Sequence, residues 1–163
     1  MARRKLDIRQ NQPVKLPNGL TVRITCIHHP GAVLIIPFLN KNTIVMIRQF
    51  RPALKQYIYE LPAGTLDPHE SFSFCARREL LEETGLKPRK ITRLGKIYPV
   101  PGYSTEIIHI FKAEGLTMTQ AQPEEYEVIN SIPMTKQQVQ KLFKTGKLMD
   151  AKSICALAHC GWL

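Results

Sequence analysis

An α+β fold, an α/β/α sandwich built on a mixed β-sheet, is what the sequence predicts, and three observations carry that expectation. Short strand-like runs recur between Pro, Gly and Asn punctuation in the N-terminal third and again beyond residue 90. A stretch free of proline and glycine, Phe72 to Glu83, lies between a loop containing Pro68 and a stop at Gly85. From Thr135 the apolar residues change to a helical period.

The elements follow in chain order. Strand-like runs cover Leu20–Ile27, Ala32–Phe38, Thr43–Arg48 and Gln56–Glu60. Their bounds are Pro17-Asn18-Gly19, Pro30-Gly31, a hairpin turn over 39–42 and the Arg51-Pro52 break, all residue types that interrupt a ladder or supply turn geometry. The first of these runs belongs to an N-terminal β segment at about residues 1–30. A helix is expected over Phe72–Glu83, stopped by Gly85. Two further strand-like runs, Ile91–Tyr98 and Glu106–Ala113, flank the loop from Pro99 to Thr105, and Tyr126–Ile129 reads as a last strand. After it, Val139, Leu142 and Phe143 line one helix face, and Thr135 with Gln138 resembles a capping box. Gly146 ends that helix, and a final one from Asp150 to about His159 turns Ile154, Leu157 and Ala158 inward. With no internal repeat and no linker-like stretch, residues 1–163 are expected to form a single domain.

Composition bounds the function. An apolar share of 44% in 163 residues supplies a core, and no apolar run approaches the roughly 20 residues needed to span a bilayer. MARRK is basic but is not followed by the apolar stretch of a secretory signal, so a cytoplasmic protein is expected. Cys26, Cys75, Cys155 and Cys160 lack the paired spacing of a zinc site and read as buried free thiols. The five histidines, His28, His29, His69, His109 and His159, form no ligand pattern. A net charge of +10 suits an anionic partner, either nucleic acid or a small phosphate ester. The positive residues are scattered and no nucleic-acid-binding motif accompanies them, so nucleic acid is not the expected substrate.

The chemistry is concentrated between Gly64 and Leu86. On the expected helix Glu79, Glu82 and Glu83 stand at i, i+3 and i+4, which sets their carboxylates on one face. Like charges in that arrangement repel and call for compensation. Hard divalent cations such as Mg2+ supply it, taking one or two carboxylates together with a substrate's phosphate oxygens. A solvated acidic face is the alternative for three glutamates alone. The flanking residues argue against it: Gly64, Glu70, Arg78, Glu79, Leu80, Glu82, Glu83, Gly85 and Leu86 fill every fixed position of a pattern that resembles the signature of the Nudix hydrolase family. The resemblance implies the Nudix fold, with a loop–helix–loop that binds Mg2+ or Mn2+ and hydrolyses a nucleoside diphosphate linked to another group.

Beyond the signature, His29-Pro30-Gly31-Ala32-Val33, Arg48-Gln49-Phe50-Arg51, Glu60-Leu61-Pro62-Ala63-Gly64, the segment Tyr98–Glu106 containing Pro101, and Gly146–Ala156 are similar to the ADP-ribose pyrophosphatase branch of that family. The resemblance covers roughly Leu16 to Leu157. It implies Glu79 and Glu83 as metal ligands, Glu82 as ligand or bridge, and the Ala63 carbonyl as a neutral ligand. Glu70 either binds a further metal through water or holds the loop. Arg78 pairs with a neighbouring carboxylate and orients the acidic face. Arg51 corresponds to a substrate-contacting arginine, and its guanidinium suits a phosphate or a ribose-adenine edge. Arg48 and Pro101 join it as substrate-binding positions, Glu106 as a partner for ribose hydroxyls or for a second subunit, and Phe50 and Tyr103 as adenine stackers. The catalytic base of related enzymes lies on a loop before the last strand, in a pair of acids one residue apart. Alignment on Val128 puts Gln122 and Glu124 there, which makes Glu124 the expected base, Glu125 the second choice and Glu82 a third.

The expected activity is hydrolysis of ADP-ribose to AMP and ribose 5-phosphate. Alternatives are a pyrophosphatase for another nucleoside diphosphate sugar or a dinucleotide, and a non-catalytic nucleotide or RNA sensor. The branch also implies a homodimer in which the N-terminal strands and the Arg48–Glu60 region help build the partner's adenine site.

Overall fold

The computed structural model describes residues 7–121 and 127–163. The chain runs β1 (Asp7–Lys15), β2 (Thr21–His28), β3 (Ala32–Asn40), β4 (Thr43–Arg51), β5 (Gln56–Glu60), β6 (Ala63–Thr65), α1 (Phe72–Thr84), β7 (Leu86–Ile97), β8 (Ile108–Met118), β9 (Ile129–Thr135), α2 (Lys136–Lys144) and α3 (Ala151–His159). The apolar run of β3, AVLII, is buried on both faces, as expected for a central strand covered by helices. Leu34 and Ile36 point to a core shared with Ile44, Met46, Ile110, Val139, Ala156, Leu157 and Trp162. Val33 and Ile35 point the other way, to Val45, Cys75, Ala76, Leu80, Phe111 and Ala113. The period of two in β3 thus separates an α1 layer from an α2/α3 layer, which is the expected sandwich.

The sheet parts in the middle. β3 and β4 pair only at Phe38↔Ile44 and Asn40↔Thr43 around their turn, where Asn40 Oδ1 accepts from the Asn42 amide at 2.9 Å. Beyond that turn β3 pairs in parallel with β8 and antiparallel with β6, while β4 takes β5 and β9, both antiparallel. β7 closes the far edge against β8. The divergence makes a mixed sheet of two leaves, and α1 lies over the leaf that carries β6.

Helix ends follow local chemistry. Ser71 caps α1 by accepting from the Phe74 amide at 3.3 Å, and Gly85 terminates it at φ 72°. A Cβ on Gly85 would stand 2.6 Å from the Thr119 carbonyl oxygen. The expected capping box is present: Gln138 N donates to Thr135 Oγ1 at 3.3 Å and Thr135 N to Gln138 Oε1 at 2.8 Å.

Four expectations need correction. The last strand is not Tyr126–Ile129 but Ile129–Thr135; Tyr126 is outside the described residues. Pro133 is tolerated there because β9 is an edge strand paired only with β4. β7 begins at Leu86 rather than Ile91, since α1 ends directly into it. The expected N-terminal β segment divides into two strands: DIRQNQPVK, without apolar alternation, forms β1 through pairing with β2, around a bulge at Asn11 with φ 56°. All four cysteines are free as expected, but only Cys75 is buried; Cys26 and Cys160 are half-buried and Cys155 is exposed.

Gly85 and Gly19 separate two costs. Gly19, at φ 86°, has open space around its Cβ position, so Gly19→Ala meets only backbone strain, about 1–2 kcal/mol. Gly85→Ala adds a collision with backbone and is expected to lower the unfolding free energy by roughly 3 kcal/mol or more in urea titrations.

Candidate functional site

Gly64, in β6, faces the middle of α1. A Cβ at this position would lie 1.8 Å from Glu79 Cδ, so the carboxylate of Glu79 occupies the space that the missing side chain leaves. One turn on, Glu83 is buried and its Oε2 accepts from the Ala63 amide at 3.1 Å. Burial draws Glu79 up to about 7, Arg78 works against the rise, and the like charges of Glu82 and Glu127 add to it. Burial also pushes Glu83 well above the ordinary carboxylate range, with Glu79 and Glu127 again contributing. Both are thus glutamates whose ionised forms need a cation.

Arg78 is the cation within the protein. Its Nε and Nη2 donate to Glu70 Oε1 and Oε2 at 2.8 and 3.0 Å, and its Nη1 donates to Glu79 Oε1 at 2.8 Å and Glu82 Oε2 at 2.9 Å. Nη2 also reaches the Thr65 carbonyl at 3.2 Å, which ties α1 to β6. Hydrogen bonds from Arg78 hold Glu70 down at about 2, against the effect of burial. Glu70 Oε2 accepts from the Asp67 amide at 2.9 Å as well. Of the two roles open to Glu70, this geometry favours holding the loop.

The donor set fits a hard cation by chemistry: oxygen ligands on one helix face, two of them buried, beside a backbone strand that approaches closely because of Gly64. Among the described residues no three His, Cys, Asp or Glu side chains already converge tightly enough to hold an ion.

Arg51 approaches from the other leaf. Its Nε and Nη2 donate to Glu60 Oε1 and Oε2 at 2.5 and 2.7 Å. Glu60 is fully buried and also pairs with Lys152. Burial alone would raise Glu60; the hydrogen bonds and charges of Arg51 and Lys152 outweigh it, so the carboxyl sits below its ordinary range. Arg51 feels the charge of Glu83, which relates the two halves of the site.

Other expected residues lie elsewhere. Arg48 and Phe50 alternate with Arg51 along β4 and face the opposite side, where Arg48 packs 4.6 Å over the Tyr57 ring and Phe50 meets the same ring edge-on at 5.3 Å. They do not line one pocket with Arg51. Tyr103 and Pro101 are exposed on a loop that the Tyr103 carbonyl fastens to the Ile27 amide at 2.8 Å. Glu106 Oε1 lies 3.9 Å from His29 Nε2. Glu124 and Glu125 lie outside the described residues. Sequence reasoning missed Glu127, whose charge bears on both Glu79 and Glu83. The signal was available: with β9 starting at Ile129, the loop before the last strand includes residue 127. It also missed the pairing of Lys152 with Glu60, 92 residues apart in sequence.

Gly64→Ala tests the close approach. The backbone there has no positive φ to strain and the clash falls on a side-chain end, so the variant is expected to fold with little loss of stability. Its Glu79 carboxylate must move, and affinity for divalent cation measured by calorimetry should fall at least about tenfold.

Comparison with known proteins follows this geometry. The NUDIX domain family matches residues 28–154. The chain is 35% identical over 150 residues to an ADP-ribose pyrophosphatase of Bacillus subtilis, covering 91% of this chain and 81% of that protein. It is 36% identical over 152 residues to a methanol dehydrogenase activator of Bacillus methanolicus, with 92% and 82% covered. A GDP-mannose pyrophosphatase of Citrobacter koseri is 34% identical over 141 residues, with 79% and 72% covered. A solved structure described as an ADP compounds hydrolase superposes with a TM-score of 0.80 at 21% identity, over 98% of this chain and 94% of that one, and so shares the fold. Members of this family generally use divalent cations, which agrees with the buried glutamates around Gly64. This chain belongs to the NUDIX domain family and is a Nudix hydrolase.

Proposed function

We propose that the protein hydrolyses the pyrophosphate of ADP-ribose to AMP and ribose 5-phosphate with Mg2+, or Mn2+ in its place. The observation that carries this reading is the acidic face of α1 set against Gly64, in a chain related over most of its length to an ADP-ribose pyrophosphatase. Glu79, Glu83, Glu82 and the Ala63 carbonyl would hold the ion. Once bound, the cation supplies charge neutralisation at the phosphoryl oxygens and acidifies a water. Arg78 and Glu70 keep the loop and helix in register, and Arg51 contributes the N–H donors left over from Glu60 to the phosphates or ribose.

A base is needed to take the proton of the attacking water. The candidates are Glu124, Glu125, Glu127, whose charge bears on Glu79 and Glu83, and Glu82, the most exposed acid of the helix face. A second substrate reading, another nucleoside diphosphate sugar, draws support from the GDP-mannose pyrophosphatase relative.

A homodimer is also proposed. The β1–β2 hairpin forms a two-stranded sheet of its own, with Ile8, Val14, Val22 and Ile24 exposed. Such a hairpin is marginally stable unsupported, and a second copy of the chain would cover it. The Arg48–Phe50–Tyr57 face would then be available to the partner's nucleotide. The free cysteines agree with the reducing cytoplasm.

A Mg2+ assay with added phosphatase, run on ADP-ribose, ADP-glucose, GDP-mannose, diadenosine polyphosphates and capped RNA, tests the substrate. ADP-ribose should give the highest kcat/KM and chelator should abolish turnover; preference for GDP-mannose would reject the ADP-ribose reading, and no turnover on any would reject the enzyme. Glu83→Gln should reduce kcat at least about 100-fold, as should Gln at whichever of Glu127, Glu124 or Glu125 is the base. A loss below about threefold removes that residue from the role.

A further inference from the structure

The guanidinium of Arg51 is fixed by charges that begin on the opposite layer. Asp150 caps α3: its Oδ2 accepts from Ser153 N at 3.0 Å and from Ser153 Oγ at 2.5 Å, and its Oδ1 accepts from Lys152 Nζ at 2.8 Å. Lys152 Nζ also donates to Glu60 Oε2, and Glu60 holds Arg51 through both carboxylate oxygens. Ser153 Oγ accepts from the Leu61 amide at 2.7 Å, so the end of β5 and the start of α3 are fastened at the same level. Charges therefore alternate from Asp150 through Lys152 and Glu60 to Arg51.

Two features of this chain bear on substrate. Glu60 is 1% exposed and Arg51 38%, while Lys152 and Asp150 are only partly exposed, so the arginine is the member most open to solvent. Glu60 consumes two of the five guanidinium N–H groups and, alone, would cancel its charge. Lys152 restores one positive charge to the group, while the charge of Asp150 is partly offset by the N-terminus of α3. Glu60 Oε2 accepts from both Arg51 and Lys152, which prevents the carboxylate from rotating away from the bidentate pose. We propose that Lys152 is a positioning residue for substrate binding, acting through Glu60 to orient Arg51 and to keep its charge available to a phosphate. Buried ion networks contribute little net stability compared with apolar replacements, so stability alone does not account for this one. The inference rests on the reading of Arg51 as a substrate contact.

Steady-state kinetics with Mg2+, on whichever compound of the panel above is turned over fastest, test it. Arg51→Ala should raise KM about tenfold or more. Lys152→Met should raise KM by about five- to tenfold with kcat within about threefold of the parent, and Lys152→Arg should recover most of the loss. Ser153→Ala, which weakens the same helix start and the Leu61 hydrogen bond, should lower thermal stability while leaving KM within about twofold. In the double variant Arg51→Ala/Lys152→Met, KM should be no higher than in Arg51→Ala alone, because both changes remove one interaction. If Arg51→Ala leaves KM unchanged, the arginine's role fails and the inference with it; absence of turnover by the parent protein has the same consequence. If Arg51→Ala raises KM but Lys152→Met does not, or the two effects multiply, or Ser153→Ala reproduces the KM change, the positioning role is overturned and the substrate-contact reading stands.

Discussion

The site depends on one guanidinium, Arg78, which ties the carboxylates of Glu70, Glu79 and Glu82 together beside the buried Glu83. Removing an ion from water costs several kcal/mol even after relaxation, and α1 carries Glu79 and Glu83 into such an environment with Glu82 beside them. The Ala63 amide meets Glu83, and Arg78 offsets part of the cost at Glu79 by donating to Glu79, Glu82 and Glu70 and to the Thr65 carbonyl. The same four contacts set the helix on β6 and close the loop that joins them. Position and charge are thus fixed by one side chain, and Gly64 supplies the room in which Glu79 can lie.

Arg51 meets this acidic face from the second leaf of the sheet. The parting of β3 from β4 after only two paired positions allows the two leaves to carry opposite halves of the chemistry. On one leaf the charges are organised by Arg78, in which four carboxylates, those of Asp67, Glu70, Glu79 and Glu82, share a cation. On the other they are organised by Glu60, in which two cations share an anion. The signs are complementary to a cation-bound pyrophosphate: an acidic half for the ion, a basic half for the anion that the ion does not cover. The overall charge of +10 does not determine this; the local alternation does.

What was legible in the sequence was mostly what is local. The Phe72–Thr84 helix, its Gly85 stop and the Thr135–Gln138 capping box depend on neighbours within one turn, and the glutamates of α1 are recognisable because a helix converts spacing into a shared face. The β3 core strand is recognisable by its apolar run alone. β1 is not, because DIRQNQPVK acquires strand geometry only from β2. β9 was displaced because Pro133 and the polar residues Asn130 and Ser131 mask an edge strand whose partner is more than eighty residues earlier in sequence. The same displacement hides Glu127, which lies just before β9 and whose charge bears on Glu79 and Glu83. Lys152 and Glu60 are 92 residues apart, and no periodicity links them.

The separation of reaction from substrate has the same physical origin. The residues that would hold the cation sit within one strand, one loop and one helix, and their geometry is insensitive to what is attached to the far phosphate. Residues suited to a nucleotide or sugar come from β4, β5 and α3, and on β4 they point two ways: Arg51 toward Glu60 on the face that senses Glu83, Arg48 and Phe50 toward Tyr57 on the other. Relatives named for ADP-ribose and for GDP-mannose are about equally similar to this chain in identity, 35% and 34%, which is the expected outcome when the metal-binding segment is common and selectivity rests on a few dispersed side chains. Glu60, placed between Arg51 and Lys152, is the point at which the β4–β5 leaf is joined to the helix behind it.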